Sequence, residues 1–261
     1  MRADYTTVTE TPGIKASREQ LARLYQRYHF AVQFCRNKKV LEAACGAGQG
    51  LGYMAKVAQR VVGGDIDENN LRFARETYKG KDKIELYLFD AHKLPFDNRS
   101  FDVILLYEAI YYLGHPETFL GECQRILRKD GVLLICTVNK DWSDFNPSPY
   151  STKYFSAQEL YQLLSARFGD VRLYGGFPAT TDSMRDKITS IVKRTAIALN
   201  LMPETMKSKE ILKRIFFGKL APLPAEMEDG MAEYAAPVPI PGDSPNFQYK
   251  VLYAIARALE E

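Results

Sequence analysis

Three histidines and four cysteines are few for a chain of 261 residues. Cys35, Cys45, Cys123 and Cys136 form no CxxC pair, and no HxxxH pattern or cluster of carboxylates accompanies them. A structural metal, a redox dithiol and a disulfide framework are therefore not expected, and buried, reduced thiols are. Long hydrophobic runs are lacking too: no stretch approaches the roughly 20 apolar residues of a membrane-spanning helix. The opening "MRADYTTVTETPG" has no apolar leader, so a cytoplasmic location is expected. An excess of either charge is missing as well, with 35 Lys plus Arg against 32 Asp plus Glu and a net charge of +3. A nucleic-acid surface is not expected from so small a balance. The one basic concentration, Lys187 to Lys219, alternates with apolar residues as solvated helix faces do, and contact with a membrane surface is the less favoured reading.

What is present is the composition of an ordinary globular protein, 46% hydrophobic and 26% charged. "SREQLARLYQRYHFAVQFC" carries a capping-box pair, Ser17 and Gln20, ahead of apolar residues at helical spacing. Strand-like runs follow at 40–43, 60–65, 84–90, 101–108 and 131–138, with helical patterns between them. The second pattern, "ETFLGECQRIL", is expected to stop at Lys129, Asp130 and Gly131. Apolar strands without alternation, separated by helices, predict an α/β fold with a doubly wound, Rossmann-like parallel sheet covered on both faces. Two further strands are expected near 171–175 and 248–255. Between them, helical stretches at about 183–199 and 208–217 and a proline-rich run read as a mostly helical lid insertion. The predicted organisation is an N-terminal segment and helix (1–37), a core (38–177 and 247–261) and the insertion (178–246).

The most informative stretch is "LEAACGAGQG", residues 41–50. No Lys-Ser or Lys-Thr follows its glycines, which removes the phosphate-cradling P-loop. The dinucleotide frame set by Gly46 and Gly48 needs a glycine at position 51, which is Leu51. Glu42, at the end of the first strand, would repel a pyrophosphate and attract a cation. Asp65 ends the next strand, where a carboxylate can accept from ribose hydroxyls. Asp90 and Ala91 close the third, placed to read an adenine amino edge. A ligand with positive charge, a ribose and no phosphate fits this set, and S-adenosylmethionine is such a ligand.

"VLEAACGAGQG", "VVGGDID", "LYLFDAHKLPFDNRSFDVILLYEAIYYL" and "LGECQRILRKDGVLLICTV" together resemble the class I S-adenosylmethionine-dependent methyltransferases, in the small-molecule type 11 group typified by ubiquinone and menaquinone biosynthesis. The resemblance covers about residues 38–140 and departs at Ala44, where many members have glycine. It implies a seven-stranded sheet whose last strand is antiparallel. It also implies that Ala44, Gly46 and Gly48 pack on the cofactor, that Glu42 and Tyr107 lie near its methionine end, that Asp65 meets the ribose, that Asp90 and Ala91 meet the adenine, and that Gln49 and Ile66 are further cofactor-binding residues.

Methyl transfer is a direct displacement, so holding acceptor and methyl group at attack distance supplies much of the effect. A hydroxyl acceptor also needs a base. The candidates are His29, Glu108, Tyr111 and His115, each with a plainer structural reading as a helix or core residue. Tyr25, Tyr28, Tyr112 and Trp142 are candidates for contacting a small-molecule or sugar-like acceptor. The expected activity is methylation of a hydroxyl or amine. A non-catalytic cofactor-binding sensor or assembly protein is the alternative, and a nicotinamide-dependent oxidoreductase ranks behind both.

Overall fold

The computed structural model describes residues 8–148, 150–179 and 220–258. In chain order its elements are β1 (Lys15–Ala16), α1 (Arg18–Cys35), β2 (Lys39–Ala43), α2 (Leu51–Ala55), β3 (Arg60–Asp65), α3 (Glu68–Thr77), β4 (Ile84–Leu88), β5 (Phe101–Tyr107), α4 (Pro116–Ile126), β6 (Leu127–Val138), α5 (Ala157–Ser165), β7 (Asp170–Pro178), β8 (Ala221–Pro222), β9 (Val238–Ile240) and β10 (Tyr249–Arg257). The main sheet runs β4-β3-β2-β5-β6-β10-β7-β9. The pairings from β4 to β6 are parallel, and β10 enters antiparallel between β6 and β7.

Successive residues of a strand point to opposite faces, and both faces of this sheet are buried. Val40, Val103, Leu105, Leu134 and Tyr253 turn toward α1, α2 and α3. Leu41, Ile104, Leu106, Leu133 and Leu252 turn toward α4 and α5. That is why the central strands read as unbroken apolar runs. Each fully buried leucine or isoleucine contributes about 2 kcal/mol through apolar area removed from water. α1 begins as its sequence predicts, with Ser17 and Gln20 in a reciprocal capping box, and the structure shows a second such box at the start of α5, formed by Ser156 and Glu159.

Three features depart from expectation. The sheet has an eighth strand, because Val238–Ile240 within "PVPIPG" pairs antiparallel with β7 at the sheet edge, where its prolines interrupt no central ladder. Lys129, Asp130 and Gly131 do not stop a helix. α4 already ends at Ile126, and the three residues form an irregularity inside β6, with Asp130 at φ 62° and a shift in the pairing with β5 between Phe101 and Val103. The helix after the glycine loop is short, Leu51–Ala55. The two helical stretches expected at 183–199 and 208–217 lie outside the described residues. Residues 220–246 return along α1 and α2: β8 pairs with β1, and Met227 N–H and the Pro224 carbonyl both bond Gln49.

Candidate functional site

The chain steps from β2 outward to β3 and β4, then resumes on the other side of β2 with β5 and β6. Strand order reverses between β2 and β5, and the crevice beyond their carboxyl ends is where open α/β sheets bind ligands. A cavity of about 500 Å³ occupies this position. Its inner wall is made by Glu42, Ala44, Gly46, Gln49, Asp65 and Ile66, continued by Phe89, Asp90, Ala91 and Tyr107.

The glycine loop is held to the sheet by its own neighbours. Gly46 N–H donates to Asp65 Oδ2 (2.8 Å) and Asp67 N–H to Asp65 Oδ1 (2.9 Å). Burial raises the Asp65 carboxyl above its ordinary range, while these backbone donors and the Asn70 side chain act against that rise. A carboxylate has about four acceptor positions, so Asp65 keeps capacity toward the cavity it lines. Ala44 sits at φ 55°, a conformation that favours glycine.

Glu42 is 1% exposed. Its Oε1 accepts from the Tyr28 hydroxyl at 2.6 Å, and its Oε2 is buried with no hydrogen-bond partner among the described residues. Burial pushes its carboxyl up to about 7, against the opposing pull of Tyr28 and Arg27. The Tyr107 hydroxyl is likewise buried and unpartnered. At the opposite end Asp90 Oδ1 accepts from His92 N–H (2.9 Å) and meets His92 Nδ1 at 2.6 Å. Burial would raise the Asp90 carboxyl, but the His92 contacts prevail and hold it below its usual range.

The outer half of the cavity is lined by Glu10, Gln20, Arg23, Arg27, Glu108 and Tyr111, with Tyr28 and Tyr112 beside them. Arg27 donates to Glu10 Oε2 (2.5 Å) and lies 3.9 Å from Glu108 Oε1. The Tyr111 hydroxyl donates to Glu108 Oε2 at 3.1 Å. Glu108 has φ 51°, a strained conformation for its residue type. Burial raises its carboxyl above the ordinary range, with Arg27 and Arg23 pulling the other way.

The structure therefore gathers Glu42, Ala44, Gly46, Gln49, Asp65, Ile66, Asp90, Ala91, Tyr107, Tyr28, Glu108, Tyr111 and Tyr112 around one cavity. Five other candidates lie off its wall. Gly48, at φ 77°, packs against α3, where an added Cβ would meet the Ala74 Cβ at 2.8 Å. His29 faces α2, its Nδ1 2.9 Å from the Tyr53 hydroxyl and its ring 4.1 Å from that of Tyr234. His115 precedes α4 and pairs with Glu117 on the surface. Tyr25 accepts from Gly230 N–H, and Trp142 is flanked by Arg23 and Lys250. Arg23, Arg27 and Gln20 were missed by motif reading, although their spacing puts them on one face of α1; Glu10 and Thr9 carry no such signal. Among the described residues no group of three or more His, Cys, Asp or Glu side chains could hold a metal ion, and no helix is long and apolar enough to cross a membrane.

Residues 41–135 match the type 11 family model described as a methyltransferase domain. This stretch belongs to the class I, type 11 methyltransferase family. The methyltransferase domain thus runs from the first central strand, through the glycine loop and all three strand-end acids, into β6. Two curated relatives are each described as a "Probable S-adenosylmethionine-dependent methyltransferase". The one from Mycolicibacterium smegmatis is 32% identical over 159 residues, covering 59% of this chain and 60% of the relative. The one from Mycobacterium tuberculosis is 34% identical over 150 residues, covering 55% and 53%. The chain thus spans between half and two thirds of the length of these relatives. Among solved structures, the YcgJ protein of Bacillus subtilis superposes with a TM-score of 0.59 at 18% identity, covering 91% of this chain and 100% of that one, a likeness of fold alone.

Proposed function

We propose that this chain is an S-adenosylmethionine-dependent methyltransferase acting on a hydroxyl or amine of a small-molecule or sugar-like acceptor. The observation that carries the reading is the buried, unpartnered Oε2 of Glu42 beside the glycine loop. A buried carboxylate oxygen without a donor is costly, and a cationic ligand is what relieves it. The polar groups of the inner wall fit this cofactor along its length. Glu42 and the Tyr107 hydroxyl suit the amino acid end, Asp65 the ribose, and Asp90 with the Ala91 backbone the adenine. Bound there, S-adenosylmethionine supplies an electrophilic methyl group carried on a sulfonium.

The chain's own residues then have separable tasks. Tyr28 fixes the Glu42 carboxylate through its 2.6 Å hydrogen bond. Tyr111 and Arg27 orient Glu108 at the carboxyl end of β5, where it takes the proton of an acceptor hydroxyl. Its raised proton affinity suits that task better than an ordinary solvated carboxylate would. Burial among Tyr28, Tyr107 and Tyr111 excludes water from the transfer.

The test is calorimetric titration with S-adenosylmethionine, followed by incubation with the deuterated-methyl cofactor and fractionated small-molecule extracts. Cofactor binding with a mass-shifted metabolite and stoichiometric S-adenosylhomocysteine is the expected outcome. Absence of cofactor binding would refute the assignment of the glycine loop, and binding without product in any fraction would favour the sensor.

A further inference from the structure

Arg23 and Arg27 stand one turn apart on α1, and both line the outer half of the cavity. A guanidinium carries five N–H donors in a fixed fork and accepts nothing. Arg27, with only 8% of its side chain exposed, makes one hydrogen bond among the described residues, to Glu10. Glu108 at 3.9 Å is too far for a second, and the Arg27 Nε–H is buried without a partner among the described residues. Arg23 donates to Glu19 at 2.6 Å and leaves its Nε–H buried and unpartnered as well. Gln20, one turn earlier, extends the same polar stripe.

Such a concentration of unsatisfied donors is the opposite of what an apolar or cationic acceptor would need. The surrounding acids do not use it up. Glu19 is shared between Arg23 and Lys250, and Glu10 is taken by Arg27. The remaining acid, Glu108, faces the reacting end of the cavity beside Tyr107 and Tyr111. What the two guanidinium groups lack is a set of acceptor oxygens in one plane, the arrangement offered by a carboxylate or a phosphate.

We propose that the methyl acceptor carries an anionic oxygen group, a carboxylate or a phosphate, on its non-reacting end, held by Arg27 and Arg23 between α1 and the walls formed by Tyr111 and Tyr112. The inference rests on the methyltransferase reading. It orients the acceptor with its anion toward α1 and its nucleophile toward Tyr107 and Glu108. In this role Arg23 and Arg27 determine specificity and do not touch the reacting atoms.

Calorimetry on the full chain separates this claim from the one beneath it. S-adenosylhomocysteine is titrated first; if the wild-type protein does not bind it, the methyltransferase reading itself fails. With that ligand saturating, benzoate, phenyl phosphate, benzyl alcohol and benzylamine are titrated in turn. At least one of the two anions is expected to bind about tenfold or more tighter than benzyl alcohol, and which of them does so identifies the group. Arg27→Gln and Arg23→Gln should each remove that preference and leave S-adenosylhomocysteine affinity in place, with Arg27→Lys restoring part of it. If Arg27→Gln also loses S-adenosylhomocysteine binding, Arg23→Gln carries the test, since its guanidinium is more exposed. Anions binding no tighter than benzyl alcohol, a preference for benzylamine, or an unchanged anion affinity in Arg23→Gln would overturn the proposal.

Discussion

Glutamine at position 42 keeps the shape of the glutamate, including an oxygen for the Tyr28 hydroxyl, and removes the charge. Burial holds the Glu42 carboxyl near 7 in place of the ordinary 4.5, a difference worth about 3 kcal/mol. Below pH 4.5 the carboxyl is protonated whether the chain is folded or unfolded, and it carries no charge penalty. Between 4.5 and 7 the unfolded chain releases this proton and the folded one retains it, so stability falls as pH rises. Above 7 the full penalty is in place. Without ligand, Glu42→Gln should therefore match the wild type in urea denaturation at pH 4.5 and exceed it by up to about 3 kcal/mol at pH 8. Cofactor affinity should move the other way. In the wild type a cationic ligand requires the ionised carboxylate, so its affinity should rise by up to about tenfold per pH unit below 7 and level off above. Glu42→Gln should bind more weakly, without that slope. Parallel stability profiles for the two proteins, or equal cofactor affinities at pH 6 and 8, would refute the reasoning.

Glu108→Gln should lower kcat by about 10² to 10⁴ with S-adenosylhomocysteine affinity kept, as expected for loss of a general base. Because burial raises this carboxyl, wild-type kcat should climb with pH through a range above that of an ordinary glutamate, a limb absent from the variant. Ala44→Gly relieves a left-handed backbone at φ 55° and should raise stability by about 0.5–1 kcal/mol in chemical denaturation, net of the flexibility glycine adds to the unfolded chain. A lower midpoint would show that the alanine methyl contributes packing worth more than the strain. Gly64→Ala would place a methyl 2.0 Å from the Phe89 ring, which lines the cavity. It should cost about 1–3 kcal/mol in stability and weaken cofactor binding together, as displacement of Phe89 requires.

The seven core strands were legible because each central strand is apolar on both faces and each acid stands where a strand ends, while their order in the sheet comes from the structure. Ser17 and Gln20 announced their helix through side chains that bond their own backbone, a local signal that Ser156 and Glu159 carry too but that was not read there. The eighth strand was not legible, since "PVPIPG" carries the prolines that ordinarily argue against a strand, and only its place on the sheet edge makes them acceptable. "KDG" after α4 has the composition of a helix stop, and the same residues serve a bulge when the strand begins without a connecting loop. In the site, glycines and strand-end acids marked the inner half of the cavity. The outer half depends on Arg27 meeting Glu10 and Glu108, a long-range arrangement that no local spacing encodes. His29 missed the cavity for a similar reason: its neighbours Tyr53 and Tyr234 come from α2 and the returning segment after β8.

The pairing of β1 with β8 has a kinetic consequence. Lys15 meets Pro222, and Gly13 and Ile14 exchange hydrogen bonds with Leu223, so this contact closes a loop through most of the chain. The entropy of closing so long a loop grows only slowly with length, but during synthesis the contact cannot form until both ends have been made. During synthesis β2 to β6 can assemble while residues 8–16 wait for a partner some two hundred positions downstream. Thr9 and Glu10, which border the cavity, are carried by that waiting segment. In synthesis this part of the cavity wall is therefore completed only after β2 to β6 have been made, and a two-residue ladder opens at less cost than the core strands do, so native-state hydrogen exchange should find its amides among the first to exchange.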